Sequence, residues 1–290
     1  VNHFVPSIPE SPTSLPVTHK KASGSLPTTG WSTLDEGWKG NTLPERADWR
    51  RVTYGNGKFV AVIDGTGSCA YSTDGISWNV TSLPASRRWF GVTYGDGKFV
   101  AVALSTDKGA YSTDGINWNE FTLPASQGWH SVTYGNGKFV AVAGESSTGA
   151  YSTDGITWST MTLPTSQSWY GVTYGDGKFI AVALNSNKGA YSTDGITWTE
   201  MSMPQSAPWF NVAYGNGKFV AITQGLTIAA YSANGTAWSS ITLPISASEG
   251  IAYGDGKFVV VPDNSNYGAY STDGINWSQM RMPTSQTWRY

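Results

Sequence analysis

Charge is the first thing this chain of 290 residues has little of: Asp, Glu, Lys and Arg supply 13% of it, about half of the roughly 25% usual in soluble domains. The net charge is −2, and adjacent basic residues occur only at Lys20-Lys21, Arg50-Arg51 and Arg87-Arg88. A nucleic-acid partner calls for a phosphate-neutralising stripe, so none is expected. Electrostatic attachment to an anionic membrane finds no support either. No apolar run approaches the roughly 20 residues that span a bilayer, which speaks against membrane insertion. Cys69 is the only cysteine, so no internal disulfide framework can form. His3, His19 and His130 are scattered, and neither a metal site nor a cofactor is expected. The start, Val1-Asn2-His3, carries neither an initiator Met nor a signal-peptide pattern, so the numbering is expected to begin after processing or at an artificial boundary.

Aromatic residues, glycine and small polar residues are abundant: 14 Trp, 15 Tyr and 34 Gly. With 39% hydrophobic residues the chain can bury a real core. The aromatics are periodic. Trp49, Trp89, Trp129, Trp169 and Trp209 follow one another at intervals of 40 residues. Each opens the pattern W-x-x-V-T/A-Y-G-N/D-G-K-F-V/I-A-V/I, followed after a variable stretch by A-Y-S-x-D/N-G-x-x-W and, four residues on, L/M-P. A sixth copy keeps Tyr253 to Phe258 but has Ser248 in the place of the Trp.

Inside one copy the periodicity is that of strands. Val52-Thr53-Tyr54 leads into Gly55-Asn56-Gly57 and out through Phe59-Val60-Ala61-Val62. An Asn-Gly or Asp-Gly pair between β-rich runs marks a type I′ hairpin, whose two central residues need positive φ. Cys69 to Ser72 reads as a third strand, Asp74-Gly75 as its turn and Trp78 to Ser82 as a fourth, which Leu83-Pro84 is expected to end. Four short antiparallel strands per repeat make one blade of an all-β propeller. Repeats start near 49, 89, 129, 169, 209 and 248, and residues 31–290 form the propeller. Residues 31–44 resemble the degenerate outer half of a blade, and Trp288-Arg289-Tyr290 restarts an inner strand. The expectation is seven blades, the last stitched from 31–48 and 286–290, with six blades as the alternative. Residues 1–30, with five Pro and no repeat, form an N-terminal arm expected to lie on the propeller or on a neighbouring subunit.

The repeated Y-S-T-D-G-I-x-W resembles the Asp-box (BNR) motif, S-x-D-x-G-x-x-W, of sialidase-like and other propellers, though it lacks the residue between Asp and Gly. Over residues 31–290 the repeat looks like those of bacterial secreted proteins and of phage tail or fibre proteins. The resemblance implies an extracellular or virion-borne propeller used for adhesion or receptor binding, often on glycans, much as propeller lectins do. In that family the box lies away from the active site. Asp74, Asp114, Asp154, Asp194 and Asp273 are accordingly read as turn residues, each accepting N–H groups of its own loop.

Sialidases add an Arg triad, a Tyr/Glu pair and an acid. The Arg at 46, 50, 51, 87, 88, 281 and 289, with Glu120, Glu145 and Glu249, form no such signature. The near identity of the copies argues against an active site, so no catalytic residue and no enzyme activity are expected. Variation is concentrated at the residue after each Trp: Arg50, Phe90, His130, Tyr170, Phe210, Glu249 and Arg289. The pairs Trp49-Arg50, Trp89-Phe90, Trp129-His130, Trp169-Tyr170, Trp209-Phe210 and Trp288-Arg289 are the candidate ligand-binding residues, set between blades. An aromatic face with hydroxyl and amide neighbours suits a pyranose. Alike copies would add up multivalently. The reading is a non-catalytic glycan- or receptor-binding propeller. Its alternatives are a structural module of a virion or cell-surface complex and a sialidase-like hydrolase. The plainer role for each Trp is a wedge between adjacent blades.

Overall fold

The computed structural model describes residues 44, 47–262 and 265–286, and among these the only regular structure is β-strand. Blade 1 is a sheet of β1 (Trp49–Gly55), β2 (Lys58–Ile63), β3 (Thr66–Ser72) and β4 (Asn79–Arg87), in that spatial order and antiparallel throughout. Blade 2 repeats it with β5 (Trp89–Gly95), β6 (Lys98–Ala103) and β7 (Thr106–Ser112). Its outer strand is the start of β8 (Asn119–Gly135), which runs on without a break to become the inner strand of blade 3. The inner strands of blades 4, 5 and 6 are Trp169–Gly175, Trp209–Gly215 and Ala247–Gly254.

The local chemistry explains the blade. Asn56 and Gly57 both have positive φ, 48° and 72°, which closes β1 on β2 in a mirror-image turn that matches strand twist. The second strands are apolar on both faces because they are covered by neighbouring blades. Val60, Val100, Val140, Ile180 and Val220 are fully buried. Each fully buried Phe at the start of these strands contributes about 2–3 kcal/mol of transfer free energy.

Two glycine columns do something other than turn. A Cβ on Gly95 would lie 2.0 Å from Cγ of Tyr134, and one on Gly135 would lie 2.0 Å from Cγ of Tyr174. The Gly of each Y-G pair thus leaves room for the tyrosine ring of the next blade. A Cβ on Gly109 would lie 2.2 Å from the Phe121 ring on the adjacent outer strand. In blade 1 the same pair is Cys69 and Thr81, where a smaller partner admits a larger residue. Cys69 is a packing residue, and burial pushes its thiol up to about 12.

Pro84 does not end β4. The strand continues to Arg87 through a bulge, the register passing from Ser68↔Ser82 to Thr66↔Arg87. The outermost strand is a sheet edge, where a residue without an N–H is tolerated, and most readily at a bulge. The bulge has a use. It turns the Ala85 carbonyl to accept the indole N–H of Trp89 at 3.1 Å, and Trp129, Trp169 and Trp209 donate to the equivalent carbonyls of Ala125, Thr165 and Gln205.

Inner strands pack side by side from blade 1 through blade 6 around a channel. Among the described residues, the inner strand of blade 6 does not lie against that of blade 1 in this way. The expected closing blade (31–48 and 286–290) falls almost entirely outside the described residues, as do the arm (1–30), Trp288 and Arg289.

Candidate functional site at one mouth of the channel

The leading tryptophans do not offer sugar platforms. Trp89, Trp129, Trp169 and Trp209 have no exposed surface and Trp49 is 3% exposed. Each is wedged in the core with its N–H satisfied where a partner is given above. The interblade sites expected on Trp49, Trp89, Trp129, Trp169 and Trp209 are therefore corrected: the rings are sealed by the next blade.

The residue after each Trp behaves differently. Strand alternation points it away from its neighbour's environment, and it lies where the inner strands begin. Rings from different blades meet there. His130 stacks on Tyr170 with centroids 3.8 Å apart, Tyr170 meets Phe210 at 4.8 Å, and Phe90 meets His130 edge-on at 5.2 Å. Phe90 also reaches Tyr170, two blades away, at 6.5 Å, and the Arg51 guanidinium lies 6.0 Å from the Phe210 ring, four blades on. Contacts that skip blades are possible only at the axis. Phe90, His130, Tyr170 and Phe210 thus form one aromatic cluster across the channel mouth, and none of them lies between blades.

Blades 1, 2 and 6 add charge to that cluster. Arg50 bonds Asp48 and Asp64 at 2.9 Å, faces Glu249 at 3.7 Å and lies 4.8 Å from the centroid of Phe90. Arg88 takes the other side of Asp64 with two bonds of 2.9 Å. Gln224 donates to Glu249 at 3.0 Å, and Asn211 donates to the Glu249 carbonyl at 3.1 Å. Asp64 and Gln224 come from connections between second and third strands, Asp48 and Arg88 from segments just before inner strands. All four therefore rise at the same end of the propeller.

Burial tunes these groups in opposite directions. It pushes the Glu249 carboxyl above its ordinary range, against the pull of Arg50, Arg51 and the Gln224 hydrogen bond. It would raise Asp64 too, but hydrogen bonds and charge from Arg88 and Arg50 outweigh it and hold that carboxyl low. Burial, with Arg51 and Arg88 nearby, depresses His130 to about 4, so the imidazole is neutral at pH 7. The Nδ1 of His130 and the Nε of Arg50 are buried without a hydrogen-bond partner among the described residues. Gly144 makes room for the imidazole: a Cβ there would lie 2.6 Å from His130 Nε2.

Of the residues expected at ligand sites, Arg50, Phe90, His130, Tyr170 and Phe210 are brought together. Arg51, Asp48, Asp64, Arg88, Gln224 and Glu249 were not among them. Their signal was present as departure from the repeat: Asp64, Gly144 and Gln224 stand where blades 2 and 4 have Leu104 and Leu184. Sameness of the copies therefore holds for the frame and fails at this mouth.

The opposite end is uniform. Ser72 donates to the Asp74 carboxylate at 2.9 Å and accepts the Gly75 N–H at 2.8 Å, while Asp74 accepts from Ile76 and Ser77 at 2.8 and 2.7 Å. The same set recurs at Asp114, Asp154, Asp194 and Asp273. These carboxylates are spent on their own turns. Among the described residues no group of His, Cys, Asp and Glu could hold a metal ion.

No family model matches the chain. No curated protein matches it. Solved structures do. A streptogramin B lyase superposes with a TM-score of 0.74 at 14% identity, covering 82% of this chain and 84% of that one. A catalytically inactive virginiamycin B lyase from Staphylococcus aureus with quinupristin gives 0.70 at 15% identity, covering 86% of each chain. YCF48 bound to a D1 peptide gives 0.67 at 16%, covering 85% of each. At these identities the likeness shows the fold, a β-propeller. It also corrects two expectations. The exclusion of enzyme activity does not stand, because the frame that fits this chain is one on which lyases are built. The reading as a non-catalytic glycan- or receptor-binding propeller falls with it, since its interblade sites are buried.

Proposed function

We propose that the mouth formed by Arg50, Phe90, His130, Tyr170, Phe210 and Glu249 binds a peptide or peptide-like molecule. One observation carries this reading. Six side chains at the same repeat position differ in every blade but Phe90 and Phe210, and they converge on the axis. A position serving only the frame would be as uniform as the turn glycines. The cluster has an aromatic half, suited to an apolar side chain, and a charged half, suited to backbone amides and an ionic group. Two of the similar propellers support the class of ligand: one is bound to a peptide and one was solved with quinupristin.

Selection of a random peptide library on the intact chain, with calorimetry on the enriched peptides, tests this. Tyr170→Ala should weaken them about tenfold or more, the worth of a central aromatic anchor. Enriched peptides that bind this variant as tightly as the parent would sink the proposal.

A second reading at the same mouth is proton-transfer catalysis of the lyase kind. Glu249, nine-tenths buried with its carboxyl pushed up, favours it as the acid or base. Incubation with quinupristin, followed by mass spectrometry, should then give a product that Glu249→Gln fails to form. Unchanged quinupristin argues against this substrate class.

The number of blades belongs to the same proposal. That the inner strands of blades 6 and 1 do not pack side by side among the described residues supports seven, with the closing blade made by both ends of an Asp-box-type propeller.

A further inference from the structure

A backbone rung at the mouth ties the residue before each leading Trp to the residue after the second strand. Asp64 donates its N–H to the Asp48 carbonyl, Leu104 to that of Arg88, Leu184 to that of Ser168 and Gln224 to that of Pro208, at 2.8–2.9 Å. Blade 3 makes the corresponding pair from Gly128 and Gly144. Blades 1, 2, 4 and 5 thus carry side chains at this rim, and blade 3 carries none.

The bare rung stands beside His130. A Cβ on Gly144 would lie 2.6 Å from its Nε2, and one on Gly128 would lie 3.7 Å away. The Nε2 edge of the imidazole therefore reaches the rim. Tyr170 covers a face of the ring at 3.8 Å and Phe90 meets it edge-on at 5.2 Å. The Nδ1 is buried and has no hydrogen-bond partner. That orphan decides where the single proton of the neutral ring sits. A buried N–H without an acceptor is among the rarest defects of folded proteins, and a ring nitrogen with an unused lone pair costs less. The proton belongs on Nε2, at the gap between the two glycines.

We propose that His130 is the specificity-determining residue of the mouth, donating its Nε2–H to an amide carbonyl of the ligand through the gap left by Gly128 and Gly144. This rests on the peptide reading of the same mouth and names the group that is read. In this tautomer the ring has no accessible lone pair to offer an N–H, so the ligand must bring an acceptor. An apolar side chain beside that carbonyl would lie on Tyr170 and Phe210, which meet at 4.8 Å.

N-phenethylacetamide, with one amide and one aromatic ring, is the probe. Its thioamide, nearly the same shape but with a weakly accepting sulfur, is the comparison. Long-range proton–nitrogen NMR of the intact chain at pH 7 should show His130 as the Nε2–H tautomer, its signals identified by their loss in His130→Phe. The amide should shift Nε2 saturably, and the thioamide should bind about three- to tenfold more weakly, as for loss of one hydrogen bond. In His130→Phe the two should bind alike. Gly144→Leu should close the gap and abolish the Nε2 shift. Both substitutions install a residue that other blades carry at that position, Phe90 and Leu104 among them, and tryptophan fluorescence checks that each variant is folded. Should either variant unfold, the tautomer and the amide–thioamide comparison in the unaltered chain still decide. An Nδ1–H tautomer, no saturable shift, or equal binding of amide and thioamide would each overturn the proposal. Library peptides that enrich on the mouth despite such a result would leave the peptide reading standing. A mouth that enriches no peptide while its Nε2–H takes the amide would overturn that reading and keep the donor.

Discussion

Where the inner strands begin, the six aligned positions carry Arg50, Phe90, His130, Tyr170, Phe210 and Glu249; where they end, every blade carries Tyr, Gly, Asn or Asp, and Gly. The two ends belong to the same strands, only about seven residues long, and differ in what their side chains must satisfy. At the uniform end each blade has the same partner, the next blade's tyrosine or its own turn, so one solution serves all. At the varied end the side chains leave their blades and meet one another on the axis. In a shared axial space each ring must fit around the others, so the blades are free to contribute different residues there. Divergence within a repeat protein therefore marks the place where blades stop being equivalent.

The largest effect should come from breaking the uniform end. Gly135→Ala drives a methyl into the Tyr174 ring, which packs on Phe179 of its own blade. Overpacking of a core typically costs about 1–3 kcal/mol; at an approach of 2.0 Å the upper end of that range is expected, and urea unfolding should show it. Tyr170→Ala at the varied end, by contrast, should cost less stability and more ligand affinity. Reversed sensitivities would end the distinction between the two ends.

Next comes the varied end under acid. His130 is held neutral in the fold, and its value falls from 6.5 to about 4. The unfolded chain takes up the proton first, so this part of the stability is full above pH 6.5 and is lost as pH falls towards 4. The difference corresponds to roughly 3 kcal/mol. His130→Phe has no such proton to bind, and its unfolding free energy should fall less over that range. Parallel pH profiles for the two proteins would show that the imidazole is not held neutral.

Much of the uniform end was legible in the sequence, and the reason is locality. Asn56-Gly57 and Ser72 to Trp78 make their turns with residues two or three positions away, so spacing alone reveals them. Leu83-Pro84 reads as the end of the fourth strand and not as a bulge within it, since the purpose of the bulge is the indole N–H of Trp89, five residues beyond Pro84. The glycine of the Y-G pair looked like part of the turn, whereas its real neighbour is a ring 39 residues on. The mouth lay furthest out of reach. Position after a Trp does not disclose that residues 80 or 159 positions apart, such as Phe90 with Tyr170 or Arg51 with Phe210, share one space.

The uniform end contains its own control for a smaller effect. Blade 5 has Asn234 in place of the turn Asp, and its Oδ1 still accepts the N–H groups of Thr236 and Ala237 at 2.9 Å. Geometry, more than charge, is what the turn uses. Asp154→Ala should cost about 1–2 kcal/mol, the worth of hydrogen bonds to a charged acceptor, and Asp154→Asn only about a quarter of that. Above pH 5 the carboxylate is ionised in both states; below it, protonation removes the advantage, because the folded value is the lower one. Equal losses in the two variants, measured by urea unfolding at pH 7, would make charge the deciding property.

The smallest effect concerns a pattern within the uniform end itself. The first turn residue alternates around the ring: Asn56, Asp96, Asn136, Asp176, Asn216, Asp255. Each Asn donates to a carbonyl in the following blade, Asn56 to Thr113 at 3.4 Å, Asn136 to Thr193 at 3.2 Å and Asn216 to Thr272 at 2.9 Å. An ionised Asp has no proton to give, so this tie joins blades 1 to 2, 3 to 4 and 5 to 6 and is missing from the junctions between those pairs. The channel side alternates in step: Arg51, Ser131 and Asn211 interleave with Gly91, Gly171 and Gly250. A Cβ on Gly171 would come within 2.9 Å of the Asn211 backbone, so the even blades yield space to the odd ones. The structural unit is therefore a pair of blades, although the sequence repeats every 40 residues. Asn136→Asp should lose about 0.5–1 kcal/mol, as for one exposed hydrogen bond, while Asp176→Asn, offered the same geometry at a junction between pairs, should gain less than that. Equal and opposite changes, read by chemical unfolding, would mean that all junctions are alike and that the alternation has no structural consequence.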